Sequence, residues 1–148
     1  MPQRTLQTVK KAGYQAGLLL LLVGSSAQAG DILITVDGIQ TTGTVHAALV
    51  SGEQKRWPEQ PLRQQQSDDG QLRLIGVPSG RYAIQLYQDR NGNGQLDQGR
   101  RGIPLEPVGF SASPPLLNGK PTPADSLFEH RTTDTHLRIR LQSPKAKK

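Results

Sequence analysis

The chain has no cysteine among its 148 residues, so it has no disulfides to rely on and no thiol chemistry to perform. Aromatic residues are scarce at 4%, with a single tryptophan. A nucleic-acid binder interleaves aromatics with basic residues on a folded face, and that pattern is missing here. Beyond residue 29, no stretch of about eleven or more residues carries apolar side chains at helical spacing. The Gly-x-Ser-x-Gly elbow of serine hydrolases does not occur either. His46, His130 and His136 fall at no zinc-ligand spacing and read as solvent-facing strand residues. Asp68-Asp69 before Gly70 reads as a turn, and Arg100-Arg101 as a solvated pair. No nucleophile and base can be paired, so no enzymatic activity is expected.

The net charge of +6 is unevenly placed. Arg4, Lys10 and Lys11 lie at the start, and Lys145, Lys147 and Lys148 at the end. Between them, acidic and basic residues balance at twelve each, so the excess basicity belongs to the ends and not to the domain. Residues 1–29 have the layout of a cleavable secretory signal: a basic start, an apolar run from Ala16 to Val23, and a small-x-small site ending at Ala29. That run is far shorter than the about twenty residues of a bilayer span, so no integral membrane segment is expected after cleavage. The expected product is a periplasmic or secreted domain over 30–142 with a basic tail over 143–148.

Alternating apolar residues then mark short strands. Ile32, Ile34 and Val36 define one, and Val45, Ala47 and Leu49 a second, which the turn at Thr41-Thr42-Gly43 is expected to join into a hairpin. Residues 51–70 show no sustained periodicity and read as a long loop; its Trp57 is either a lid over the core or an exposed binding aromatic. Leu72 and Leu74 mark a third strand, and Tyr82, Ile84 and Leu86 the clearest one. From 99 to 125 the chain is rich in proline and glycine, with Ile103-Pro104-Leu105 and Val108-Gly109-Phe110 as apolar anchors. Residues 126–129 offer a brief pairing. Leu137, Ile139 and Leu141 form a closing strand. The spacing predicts an all-β fold, an antiparallel β-sandwich of immunoglobulin or transthyretin type with about six to seven strands.

The stretch Asp89-Arg90-Asn91-Gly92-Asn93-Gly94-Gln95-Leu96-Asp97 holds the one chemical motif. Asp89, Asn91 and Asn93 fit calcium-loop positions one, three and five, Gly94 the sharp turn at six, Gln95 a backbone carbonyl at seven, and Asp97 position nine. Position twelve, where a bidentate glutamate normally closes the shell, is Arg100, and no flanking helices are indicated. Glu106 is the nearest remote carboxylate in sequence and the candidate to complete the set. With so few charges, a calcium site here would be weak, roughly 10⁻⁴ to 10⁻³ M. The alternative is a metal-free turn, since Asn-Gly pairs also serve hairpins.

Four motifs occur in order: Arg81-Tyr82-Ala83-Ile84, the loop from Asp89 to Asp97, Gly102-Ile103-Pro104-Leu105-Glu106, and Gly109-Phe110-Ser111. Together they resemble a family of exported bacterial proteins catalogued as domain of unknown function 2141. The resemblance implies a small β-sandwich behind a signal peptide and brings no activity with it. It also implies Glu106 as a partner of the loop, by ligation or hydrogen bonding. Where that family commonly has a histidine before the first loop aspartate, this chain has Gln88. The expected function is a non-enzymatic module of the cell envelope whose loop binds calcium structurally. The alternative is an envelope protein that binds a ligand or partner through Trp57 and residues 51–70.

Overall fold

The computed structural model describes residues 28–40, 42–116 and 119–143. Residues 1–27 of the expected signal segment (1–29) and 144–148 of the expected basic tail (143–148) lie outside them. Among the described residues, eight strands form two sheets. They are β1 (Ala29–Asp37), β2 (Thr44–Ser51), β3 (Arg63–Ser67), β4 (Gln71–Pro78), β5 (Gly80–Asp89), β6 (Val108–Phe110), β7 (Leu127–His130) and β8 (Thr135–Arg140). The smaller sheet runs β4-β1-β8 and the larger β3-β2-β5-β6.

Alternation explains the core. Ile32, Ile34, Val36, Leu72, Leu74, Ile139 and Leu141 from one sheet face Val45, Ala47, Leu49, Ile84 and Leu86 from the other, all buried. Burying each such side chain contributes about 1.5–3 kcal/mol, which is how a domain without disulfides holds together. Leu137, Ile139 and Leu141 point inward and the intervening Arg138 and Arg140 outward, as their spacing predicts.

Three expectations are corrected by the pairing. First, β1 and β2 are not a hairpin: β1 pairs with β4 and β8, while β2 pairs with β3 and β5. The connection at 38–43 crosses from one sheet to the other. A hairpin within a sheet and an arch between sheets point the same apolar residues inward, so alternation does not separate them. Second, the sandwich is not wholly antiparallel, because β1 and β8 run parallel, from Ile32 opposite Thr135 to Asp37 opposite Arg140. Third, residues 51–70 are not all loop. Gln64-Gln65-Gln66 form the middle of β3, an edge strand paired to β2. An edge strand exposed on both sides has no apolar alternation to betray it; the open edge of β2 recruits it by backbone pairing.

Strand β5 organises the larger sheet. One edge pairs with β2 over Tyr82 to Asp89, from Thr44 opposite Asp89 to Ser51 opposite Tyr82. The other edge is shared end to end by β6, opposite Gln85–Tyr87, and β7, opposite Gly80–Ala83. Ser111 bridges the gap between them. Its N–H donates to the Ile84 carbonyl at 3.0 Å, its Oγ accepts the Ile84 N–H at 2.8 Å, and its hydroxyl also donates to the Ser126 carbonyl. The two sheets meet along one side, where Val108 and Gln142 exchange backbone hydrogen bonds of 2.8 and 3.0 Å.

Candidate metal centre

The loop from Asp89 to Asp97 leaves the end of β5 and folds back on itself through Asx turns. Asn91 Oδ1 accepts the Asn93 N–H at 3.1 Å, and Asn93 Oδ1 accepts the Gln95 N–H at 2.9 Å. Gly92 and Gly94 both adopt positive φ, which only glycine takes without strain. Their N–H groups converge on Asp89, Gly92 donating to Oδ1 at 2.8 Å and Gly94 to Oδ2 at 2.7 Å. Asp89 is 4% exposed. Burial pushes its carboxyl up, but the N–H groups of Gly94, Gly92 and Asn93, with His46 nearby, outweigh it and hold the group below the usual aspartate value.

The remaining donors close the ring. The amides of Asn91 and Asn93 donate to the two oxygens of Asp97, at 2.5 and 2.9 Å. Glu106 is buried behind the loop and clamps both of its ends. It accepts the Arg90 N–H at 2.8 Å and the Asp97 N–H at 3.2 Å. Of the residues read from sequence, Asp89, Asn91, Asn93, Asp97 and Glu106 are therefore brought together. Gln95 presents an exposed side chain and takes part through its backbone. Among the described residues no three His, Cys, Asp or Glu side chains form a metal-holding cluster; half of the loop's side-chain donors are asparagine amides.

Fit to a hard cation can be judged from the donors alone. Asp89, Asn91, Asn93 and Asp97 supply oxygen ligands with no sulfur or imidazole among them, the preference of calcium. Both asparagines turn NH₂ toward Asp97; a half-turn of each amide would direct its carbonyl oxygen to the same place, at the cost of the Asx-turn hydrogen bonds that the two Oδ1 atoms accept from the Asn93 and Gln95 N–H groups. The residues fit, with a shell left incomplete.

Three neighbours escaped the sequence reading. His46 on β2 lies with Nε2 3.8 Å from Asp89 Oδ2 and stacks on Tyr87, with ring centroids 4.9 Å apart and planes 7° from parallel. The Tyr87 hydroxyl donates to the Gly94 carbonyl at 2.9 Å, tethering the loop to the sheet. Gln88 is fully buried; its Oε1 accepts the Gln40 N–H, and its amide donates to the carbonyls of Gln40, Thr42 and Gly43. The sequence marks Gln88 only as the residue before the first loop aspartate and His46 only as a strand residue; the register of β2 against β5 is what places His46 opposite Tyr87.

Trp57 is a lid, though not over the inter-sheet core. It packs on Phe110 at 5.6 Å, on the outer face of the larger sheet, and its indole N–H donates to the Pro121 carbonyl at 2.7 Å. His130 is not solvent-facing: it is 2% exposed, with Nε2 2.9 Å from the Val77 carbonyl and Nδ1 2.7 Å from Thr135 Oγ1. It fastens β7 to the ends of β4 and β8. Ile103 and Leu105 do not anchor anything, being 44% and 65% exposed, while Pro104 between them is buried. A short bridge between Gln98 and Pro104 turns this segment outward.

Fold and loop thus define a class: a two-sheet β-sandwich with an aspartate–asparagine loop at the end of its central strand. A family model described as "Uncharacterized protein conserved in bacteria (DUF2141)" matches residues 34–138. The chain belongs to that family. A comparison with curated proteins finds no significant match. The four motifs read from the sequence now have physical roles. They supply the core of β5, the loop itself, the Glu106 clamp, and the Ser111 bridge with Gly109 at the β6–β8 contact.

Proposed function

We propose that this protein is an exported, non-enzymatic β-sandwich module whose loop from Asp89 to Asp97 binds calcium weakly and structurally. One observation carries the reading: a buried, ionised Asp89 and three further oxygen-bearing side chains, those of Asn91, Asn93 and Asp97, are drawn to a single loop braced at both ends by Glu106. Bound calcium would supply charge that holds Asp89, Asp97 and the two asparagine carbonyls together. The chain's own contribution is the frame, namely Glu106 on the loop ends and Tyr87 on Gly94. The basic start and apolar run of the leader support export. Among the described residues no helix is long and apolar enough to cross a membrane. The alternative, recognition through Trp57, has less support, because the indole N–H and one ring face are already engaged within the domain.

The test is thermal melting of the mature domain, stripped with chelator and titrated with calcium, with magnesium in parallel. At a hundredfold excess over Kd, a bound ion adds about 2.7 kcal/mol, a rise of several degrees for a domain of this size. The rise should be calcium-selective and absent in Asp89→Ala. No shift up to about 10 mM, beyond the weak end of extracellular calcium sites, would reduce the loop to a metal-free turn.

A further inference from the structure

Beside the loop, on the outer face of the larger sheet, lies a cleft of about 250 Å³. Its walls come from three strands in register. Gln66 lies opposite His46 and His46 opposite Tyr87; one step along, Gln64 lies opposite Ala48. Paired residues share a face, so the long amides of β3 rise on one side and the stacked rings on the other. Ala48 leaves the floor low between them, and Gly94 of the loop closes one end.

The chemistry of this lining is narrow. No lysine, arginine, aspartate or glutamate lines the cleft, so a charged ligand would be desolvated without a counter-charge. A purely apolar ligand would strip water from the amides and return no hydrogen bond. Gln64 and Gln66 are exposed on the edge strand and line the cleft, so their amides present donors and acceptors there. The His46 ring is already oriented by its stack on Tyr87 and by Asp89, so it offers a fixed flat surface. A neutral ring with hydroxyls at its edge and C–H groups on its face satisfies both walls together.

We infer that this cleft is a saccharide-binding site, taking one neutral sugar ring between the Gln64 and Gln66 amides and the His46–Tyr87 stack. At its volume, below the roughly 300–1,000 Å³ of pockets for drug-sized ligands, it holds a terminal or single residue of a glycan. The inference does not rest on calcium binding: Gly94 is the loop residue that lines the cleft, and His46 and Tyr87 meet the loop at Asp89 and Gly94 through contacts within the protein.

The experiment is an NMR titration of the mature domain with maltose, cellobiose, lactose and chitobiose, following the Gln64 and Gln66 side-chain amides and the His46 ring. It is run once in chelator and once in calcium, with a neutral blocked tripeptide as a separate arm. At least one disaccharide is expected to shift these resonances saturably, with Gln66→Ala and Gln64→Ala each weakening binding about tenfold. Both positions are exposed on an edge strand, and the same spectra report that the variants fold. The inference is overturned by no saturable shift up to about 50 mM, far above the ~1 mM Kd expected of so small a site. Shifts that persist unchanged in both variants, or binding of the tripeptide alone, overturn it equally. Saccharide binding in chelator without any calcium-dependent melting shift would uphold the cleft while defeating the metal reading.

Discussion

Asp89 is kept ionised by its surroundings despite being almost wholly buried, and that has a pH signature. An unfolded aspartate titrates near 3.8, and here the folded value is lower. The stabilisation is therefore fully present above 3.8 and is lost as pH falls through the lower folded value. Urea midpoints measured between about pH 2 and 6 should fall steeply on the acid side for the wild type, and less so for Asp89→Asn. The Tyr87 phenol moves the other way: burial raises it above its usual value of 10, helped by the charges of Asp89 and Glu106. Glu106 is the residue to remove for a stability effect that does not alter the loop's own sequence. Two charge-assisted hydrogen bonds to the backbone depend on it, and Glu106→Ala should cost about 1.5–3 kcal/mol by chemical denaturation in chelator. A loss within error would mean that water replaces the clamp without penalty.

Among the elements, β6 is held by very little sequence. Gly109 lies where β6 meets β8, and a Cβ there would come 2.9 Å from Ile139 Cγ2 and 3.0 Å from the Arg140 carbonyl. Gly109→Ala should therefore cost about 1–3 kcal/mol through forced separation of the two strands, read as a lowered denaturation midpoint. Elements differ in how far they could be read from the sequence. Strand β5 and the closing strand announce themselves, because one buried face imposes a period of two. The loop at 89–97 was legible for a similar reason: nearly all its contacts lie within nine residues, so spacing alone encodes them. Strand β3 was hidden because neither of its faces is buried, and Gln64-Gln65-Gln66 carry no pattern. His46 and Gln88 were hidden because their roles come from strand pairings many residues apart. Ile103 and Leu105 misled because apolar character alone does not say which way a short turn points.

For the molecule as a whole, the loop and the Trp57 lid lie on different parts of the larger sheet and should act independently. Trp57→Ala removes contacts with Phe110 and leaves the Pro121 carbonyl without its donor, costing about 2–4 kcal/mol, yet the calcium-dependent rise in melting temperature should survive intact. Calcium sensitivity lost together with Trp57 would tie the two regions into one unit. Last, β1 and β8 are the first and last strands, and they lie side by side and run the same way. Tension applied between the two ends of the domain pulls these neighbours past each other along their length. The hydrogen bonds from Ile32 to Arg140 are then loaded in shear, so they must break together and cannot unzip one by one. Stretched from its ends, this domain should act as a mechanical clamp, yielding at far higher force than when pulled apart across the β3–β2 edge.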